Sequence, residues 1–327
     1  VAVKSAETAI PEPVWVLTDG RPGHISQTLG LAEALVAEPI VKRLALRSPY
    51  RQASPFLGWA NGRALTADSP SIAPPWPALV ITSGRSALAV AFGIRRAGGG
   101  RIKLVNVQDP GFFRRRFDLI VVPEHDGLTG PNIMSTAGAL GRVTPARLAA
   151  AAAQFAPMLA HLRHPRVAVL IGGANAVFAT PPAVVNRIAH DLAAIAADGA
   201  SLMITFSRRT GPAMETAIRT ALAGTNAAIW NGAGDNPYFA YLALADHVLV
   251  TEDSASMVSE AAVTGKPISI LKLAGGSAKF ARFHAAMAAR GATRPFHGHI
   301  HDWTYEPVDE TARAAARVRQ LFDTNVA

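Results

Sequence analysis

The sequence predicts an α/β chain of two Rossmann-like, doubly wound domains with parallel sheets. Short apolar runs recur, each closing in a polar loop with Gly, Ser or Asp; a helix-period segment follows most runs; and the alternation restarts after residue 165. Runs apolar at every position mark strands buried on both faces, as in a parallel sheet covered by helices. A length of 327 residues accommodates two domains of about 100–200 residues.

The first run, 14–18, closes in Asp19-Gly20-Arg21-Pro22-Gly23-His24, and from Gln27 the apolar positions Leu29, Leu31, Ala32, Leu35 and Val36 repeat with helical spacing. Residues 79–82 lead through Ser83-Gly84-Arg85-Ser86 to a helix over 87–96, followed by strands at 102–107 and 117–122. Proline-rich residues 48–77 read as an irregular excursion outside the core. Thr144-Pro145 supplies an N-cap and first-turn proline for a helix over 146–162, and Arg163-His164-Pro165 marks the expected domain boundary. Beyond it, strands are expected at 167–171, 201–206, 227–230, 247–251 and 267–271. Helices are expected at 183–197, 212–222, 237–245, 256–264 and 311–322. The expected domains are therefore 1–163 and 164–305, with a C-terminal helix in 306–327 packing back on the first.

Composition removes several classes of function. There is no Cys, so disulfides, thiolate metal sites and a cysteine nucleophile are excluded. No apolar run approaches the ~20 residues of a membrane span. The start lacks a secretory pattern, which points to a cytoplasmic protein. Residues 1–165 carry 18 basic and 10 acidic side chains, net +8, against 14 and 13 in the remainder. The first half thus attracts anions, with nucleic acid disfavoured because none of its usual binding modules is present. Phe112-Phe113-Arg114-Arg115-Arg116 could rest on an anionic membrane surface; its plain reading is a loop with solvated arginines.

In open α/β sheets ligands bind beyond the carboxyl ends of the strands, which focuses attention on four loops. Gly172-Gly173 could let main-chain amides approach a phosphate, or simply make a tight turn. Ser207, Arg208 and Arg209 suit a diphosphate, which guanidinium groups grip bidentately. Glu252-Asp253-Ser254 runs into a helix where Ser254 and Ser256 can cap and form an anion site, and Glu260 one turn on can accept from the vicinal hydroxyls of a sugar. Its plain reading is a capping box. Asp19 and His24 are general-base candidates, with Arg21, Gly23, Gln27, Ser83 and Arg85 around them on the acceptor side. His297, His299 and His301 alternate as metal ligands could, but no fourth ligand is evident, so no metal and no cofactor are expected. No P-loop, GxGxxG, GxSxG or HExxH pattern follows a strand.

Asp19 to His24 with Gln27, Asn236-Pro237-Tyr238, residues 251–267, and Arg294-Pro295-Phe296 with Trp303-x-Tyr305 together resemble the mitochondrial fission ELM (elongated mitochondria) family across nearly the whole chain. Its sequences look like GT-B glycosyltransferases, two Rossmann-like domains facing across a cleft. Asp253-Ser254-x-Ser256-x-x-x-Glu260, with Gly265-Lys266-Pro267, is similar to the donor-site segment of the peptidoglycan N-acetylglucosaminyl transferase and lipid A disaccharide synthase. The resemblance implies a metal-independent glycosyltransferase that binds a nucleotide-diphosphate sugar through Ser254, Ser256 and Glu260. Gly172, Gly173, Ser207 and Arg208 follow by position alone, and the base is expected in the first domain as Asp19 or His24. An anionic membrane surface or lipid-linked acceptor is the further partner considered, with a peripheral seat on the inner face of the membrane. The alternative is a noncatalytic recruitment protein on the same fold.

Overall fold

The computed structural model describes residues 9–54 and 63–323. In chain order the elements are β1 (Val14–Thr18), α1 (Pro22–Glu33), β2 (Ile40–Arg43), α2 (Tyr50–Ala53), β3 (Leu79–Ser83), α3 (Arg85–Ala97), β4 (Lys103–Val107), β5 (Leu119–Pro123) and β6 (Ile133–Thr136). Then follow α4 (Pro145–Leu159), β7 (Arg166–Ile171), β8 (Phe178–Ala179), α5 (Pro182–Ala197), β9 (Ser201–Phe206), α6 (Pro212–Ala221), β10 (Ala227–Ile229), α7 (Tyr238–Leu244) and β11 (His247–Thr251). The last are α8 (Ala255–Ala262), β12 (Ile268–Leu271), β13 (Ala274–Gly275), α9 (Ala278–Ala289), β14 (Thr293–Pro295) and α10 (Glu310–Arg319). No helix among the described residues is long and apolar enough to cross a membrane.

The chain divides into two compact units, Val1–Arg142 with Glu310–Ala327, and Val143–Asp309. The first holds a six-stranded sheet in the order β2-β1-β3-β4-β5-β6, the second one in the order β10-β9-β7-β11-β12-β14, and all pairings in both are parallel. The expected boundary near residue 163 is displaced because α4 packs on α7 and so belongs to the second unit. In the first unit α10 lies on α1. Gly141 N–H donates to Thr311 Oγ1 at 3.0 Å and Ala137 N–H to Glu310 Oε1 at 3.1 Å.

Strand alternation builds the layers. Trp15 and Leu17 join Val80, Leu104 and Ile120 on the face covered by α3, while Val14, Val16, Leu79, Ile81 and Val105 meet the buried side chains of α1 and α10 on the other. Burial of a large aliphatic side chain stabilises by about 1.5–3 kcal/mol, so these strands commit both faces. The stretch read as an excursion enters this core in part: Ala64 and Leu65 are buried, Leu65 bridges Leu46, and Trp76 packs at a tilt against Trp15 with ring centroids 6.1 Å apart. In the second unit Val167, Val169 and Ile171 pack with α5 and α6.

The family-like segments near the chain's end turn out to brace the second sheet. Trp303 Nε1 donates to the Gly291 carbonyl at 2.8 Å and Tyr305 Oη to that of Lys266 at 2.9 Å, while Lys266 Nζ caps the carbonyl end of α7 through Leu242 at 2.9 Å. Trp303 also lies edge-on against buried His247, whose Nε2 pairs with Ser269 Oγ at 2.9 Å. Burial pushes the His247 imidazole down to about 4, with Asp302 opposing the shift and His301 adding to it. The unfolded chain therefore binds more protons between pH 6.5 and 4, and stability supplied by the neutral ring is present above 6.5 and lost as pH falls through 4. Denaturant titrations across this range should show a loss of about 3 kcal/mol attributable to His247, and His247→Gln should flatten the slope.

Candidate functional site

In the first unit, the turn between β1 and α1 brings a carboxylate and an imidazole together. Asp19 follows the last residue of β1, and α1 opens at Pro22 without a side-chain cap, so His24 sits in the first turn with Nδ1 3.0 Å from Asp19 Oδ1. Asp19 also accepts from Arg21 N–H at 3.2 Å and lies 3.5 Å from Arg21 Nε. A carboxylate only accepts, so the shared proton sits on Nδ1, and the tautomer this selects for a neutral ring has its lone pair on Nε2. Gly84, at φ +88°, makes room for the pair, since a Cβ there would stand 2.9 Å from Asp19 Oδ2 and 3.0 Å from His24 Nδ1.

A cavity of about 860 Å³ opens beside the pair, lined among others by Arg21, Arg51, Asn106, Gln108 and Phe112. Arg85 lines it too, but its Nη2 donates to the Ser54 carbonyl at 2.7 Å. Gln27, Gly23 and Ser83 are not among the lining residues; the Ser83 hydroxyl is buried with no hydrogen-bond partner among the described residues. Of the aromatic-basic cluster, Phe112 is 95% exposed. Arg114 grips Asp109 at 2.9 and 2.7 Å, holding that carboxyl below its ordinary range, and Arg116 stacks over Phe92 at 5.0 Å. All three arginines are exposed, as the plain reading has them, and Arg115 alone of the three has no side-chain partner among the described residues.

In the second unit the strand-end loops are tied by Asp253, whose side chain has no exposed surface. It accepts from Gly173 N–H at 3.1 Å, Thr251 Oγ1 at 2.7 Å and Arg209 Nη2 at 2.5 Å. Gly172 N–H donates to Thr251 Oγ1 at 2.7 Å. Both glycine amides are thus spent inside the protein, and the glycines are needed for space. A Cβ on Gly172 would stand 2.0 Å from Asp253 Oδ1, and one on Gly173 2.1 Å from the Arg209 carbonyl oxygen. Ser207 closes its own turn, donating its N–H to Thr210 Oγ1 at 3.0 Å. Glu252 faces elsewhere, accepting from Leu273 N–H at 2.6 Å and Lys272 Nζ at 2.8 Å, while its carbonyl accepts from His284 Nε2 at 2.8 Å.

Four other expected donor-site residues are Arg208, just after β9, and Ser254, Ser256 and Glu260, at the cap of α8 or on it. Arg208 is exposed, and its side chain and the Ser256 hydroxyl have no hydrogen-bond partner among the described residues. Ser254 caps α8, accepting from Met257 N–H at 3.3 Å. Glu260, on the same helix, accepts from Tyr238 Oη at 2.6 Å, and burial together with that carboxylate pushes the phenol well above its ordinary value. Tyr238 carried no site role in the sequence, although it lies in the Asn236-Pro237-Tyr238 segment. The three alternating histidines are exposed, the nearest carboxylate being Asp198 at 4.0 Å from His299. No group of three or more His, Asp or Glu side chains among the described residues could hold a metal ion.

These contacts separate structural from open residues in a measurable way. Asp253→Ala should cost about 3–5 kcal/mol in chemical denaturation, because it strands Arg209 and two buried donors. Ser256→Ala should change stability by less than about 0.5 kcal/mol.

Comparison with known proteins sets this architecture in context. The "Mitochondrial fission protein ELM1" of Arabidopsis thaliana is 31% identical over 272 residues, covering 75% of this chain and 64% of that protein, so the chain spans less than two thirds of its length. The "Uncharacterized protein RP120" of Rickettsia prowazekii is 27% identical over 95% of this chain and 99% of its own. Among solved structures, the UDP-GlcNAc 2-epimerase of Methanocaldococcus jannaschii is 11% identical, covers 94% of this chain and 99% of that one, and superposes with a TM-score of 0.53. In complex with UDP-GlcNAc and UDP it scores 0.50. This likeness is one of fold, and the two Rossmann-like units are GT-B-like, as the sequence led us to expect. Residues 22–322 match the family described as Mitochondrial fission ELM1, and the chain belongs to that family.

Proposed function

We propose that this protein binds a nucleotide-diphosphate sugar in its second unit and uses the Asp19-oriented His24 of its first unit as general base in glycosyl transfer. The observation that carries the proposal is the imidazole–carboxylate pair at 3.0 Å beside the 860 Å³ cavity, a base with space for a substrate next to it. The fold shared with an epimerase solved with UDP-GlcNAc and UDP supports the choice of ligand. His24 Nε2 takes the proton of the acceptor hydroxyl as its oxygen bonds to the sugar's anomeric carbon. The bond from that carbon to the diphosphate breaks, and the diphosphate leaves with the electron pair. Arg208 and the N-terminus of α8, with Ser256, neutralise the departing charge, the step where preorganised donors contribute most. Glu260, held by Tyr238, accepts from the ribose hydroxyls. In this reading the acceptor lies at an anionic membrane surface, which the exposure of Phe112, lining the cavity, and of Arg115 supports.

A second reading is a noncatalytic GT-B-like recruitment protein. It is favoured by the internal use of Gly172, Gly173, Glu252 and Asp253, which leaves fewer donors for a diphosphate than the sequence promised.

Thermal shift with UDP and with UDP-GlcNAc separates the two, because a ligand that binds only the folded state raises Tm with concentration. Binding is expected, weakened at least tenfold in Glu260→Gln and unchanged in Asp19→Asn, which should instead lose at least 100-fold in UDP release. No shift with either compound would transfer the assignment to the recruitment reading. Sedimentation with phosphatidylglycerol vesicles should retain the wild type and release Phe112→Asp; equal retention of both would remove the membrane from the proposal.

A further inference from the structure

Gln108 follows β4 and is the only described residue other than glycine with a positive φ, at +81°. Such a conformation is strained for a side chain that, unlike Asn or Asp, gains little from bonding its own main chain there. The surroundings hold it nonetheless. Gln108 N–H donates to the Val121 carbonyl at 2.8 Å, and the Gln108 carbonyl accepts from Asn106 Nδ2 at 2.7 Å. Asn106 is itself buried, its Oδ1 accepting from Thr82 Oγ1 at 2.6 Å. Two adjacent strands therefore clamp one strained peptide, at the carboxyl end of the sheet.

What the clamp holds in place is a half-buried carboxamide that makes no hydrogen bond among the described residues and lines the same cavity as Asp19 and His24. A glycine at 108 would satisfy the main chain without strain, so the side chain is the part that the fold has no structural use for. A carboxamide donates and accepts on one plane, which matches a pair of neighbouring hydroxyls, and it does so at any pH. Resting on the role given above to His24, we propose that Gln108 is a recognition residue of the first unit's cavity. It takes a polyol or sugar as acceptor and binds the hydroxyl next to the one that His24 deprotonates.

The test uses the full chain, with N-acetylglucosamine as the acceptor probe and release of UDP from UDP-GlcNAc as the readout. Wild-type release should be stimulated by N-acetylglucosamine. In Gln108→Gly the KM for N-acetylglucosamine should rise at least tenfold, while the Kd for UDP stays unchanged and Tm rises or holds as the strain is relieved. Gln108→Asn, which tolerates this backbone but reaches less far, should fall between. A residue with a purely structural part would show KM unmoved, and that result in Gln108→Gly overturns the inference. UDP binding without stimulation in the wild type overturns it too, leaving the nucleotide site standing. Absence of both UDP binding and UDP release fails the functional proposal itself, and the inference with it.

Discussion

A fully buried carboxylate is the constraint around which the strand ends of the second unit are arranged. Asp253 loses its water on folding, and a charge so placed is tolerated only when donors surround it. It gathers them from three strand ends: a main-chain amide after β7, a hydroxyl at the end of β11 and a guanidinium after β9. Once that demand exists, much else follows. Position 172 must lack a Cβ because the carboxylate stands where the Cβ would be, and position 173 must lack one because the Arg209 main chain comes close. Arg209 is drawn back toward its own sheet, which leaves Arg208 as the outward cation of the pair.

The first unit solves a related problem with less charge. Its carboxylate, Asp19, is only partly covered and is shared between a guanidinium and an imidazole. Gly84 does for this pair what Gly172 does for Asp253, giving up a side chain so that polar atoms can approach. The two units thus use the same device toward different ends: a closed network that fixes loops in one, and a pair beside an open cavity in the other.

Central strands and their helices were legible because a parallel strand must be apolar on both faces, a pattern that survives in 14–18, 79–82 and 167–171. Edges were less legible. β2 leaves Ile40 44% exposed and carries Lys42 and Arg43, so its composition is that of a surface segment. β14 is three residues long and contains Pro295, and α9 mixes Lys279, Arg282 and His284 among alanines despite its Ser277 cap. The pairing of Asp19 with His24 was readable because only Gly20-Arg21-Pro22-Gly23 separates them. Asp253 and Glu252 were read as ligand groups, since sequence spacing shows a carboxylate at a strand end but not the donors folded around it. Gln108 gave no signal, because a left-handed backbone at a non-glycine residue leaves no trace in composition.

α10 supplies Ala314, Ala315 and Val318 to a core whose other members precede residue 142. A chain made from its N-terminus onward therefore produces all of the second unit, which is continuous, before the first has its last layer. Until then the apolar side of α1 that α10 will cover stays open to water. The first unit, with its cavity, is in this sense completed by a helix synthesised only after the whole of the second unit, and the order of assembly runs against the order of the sequence.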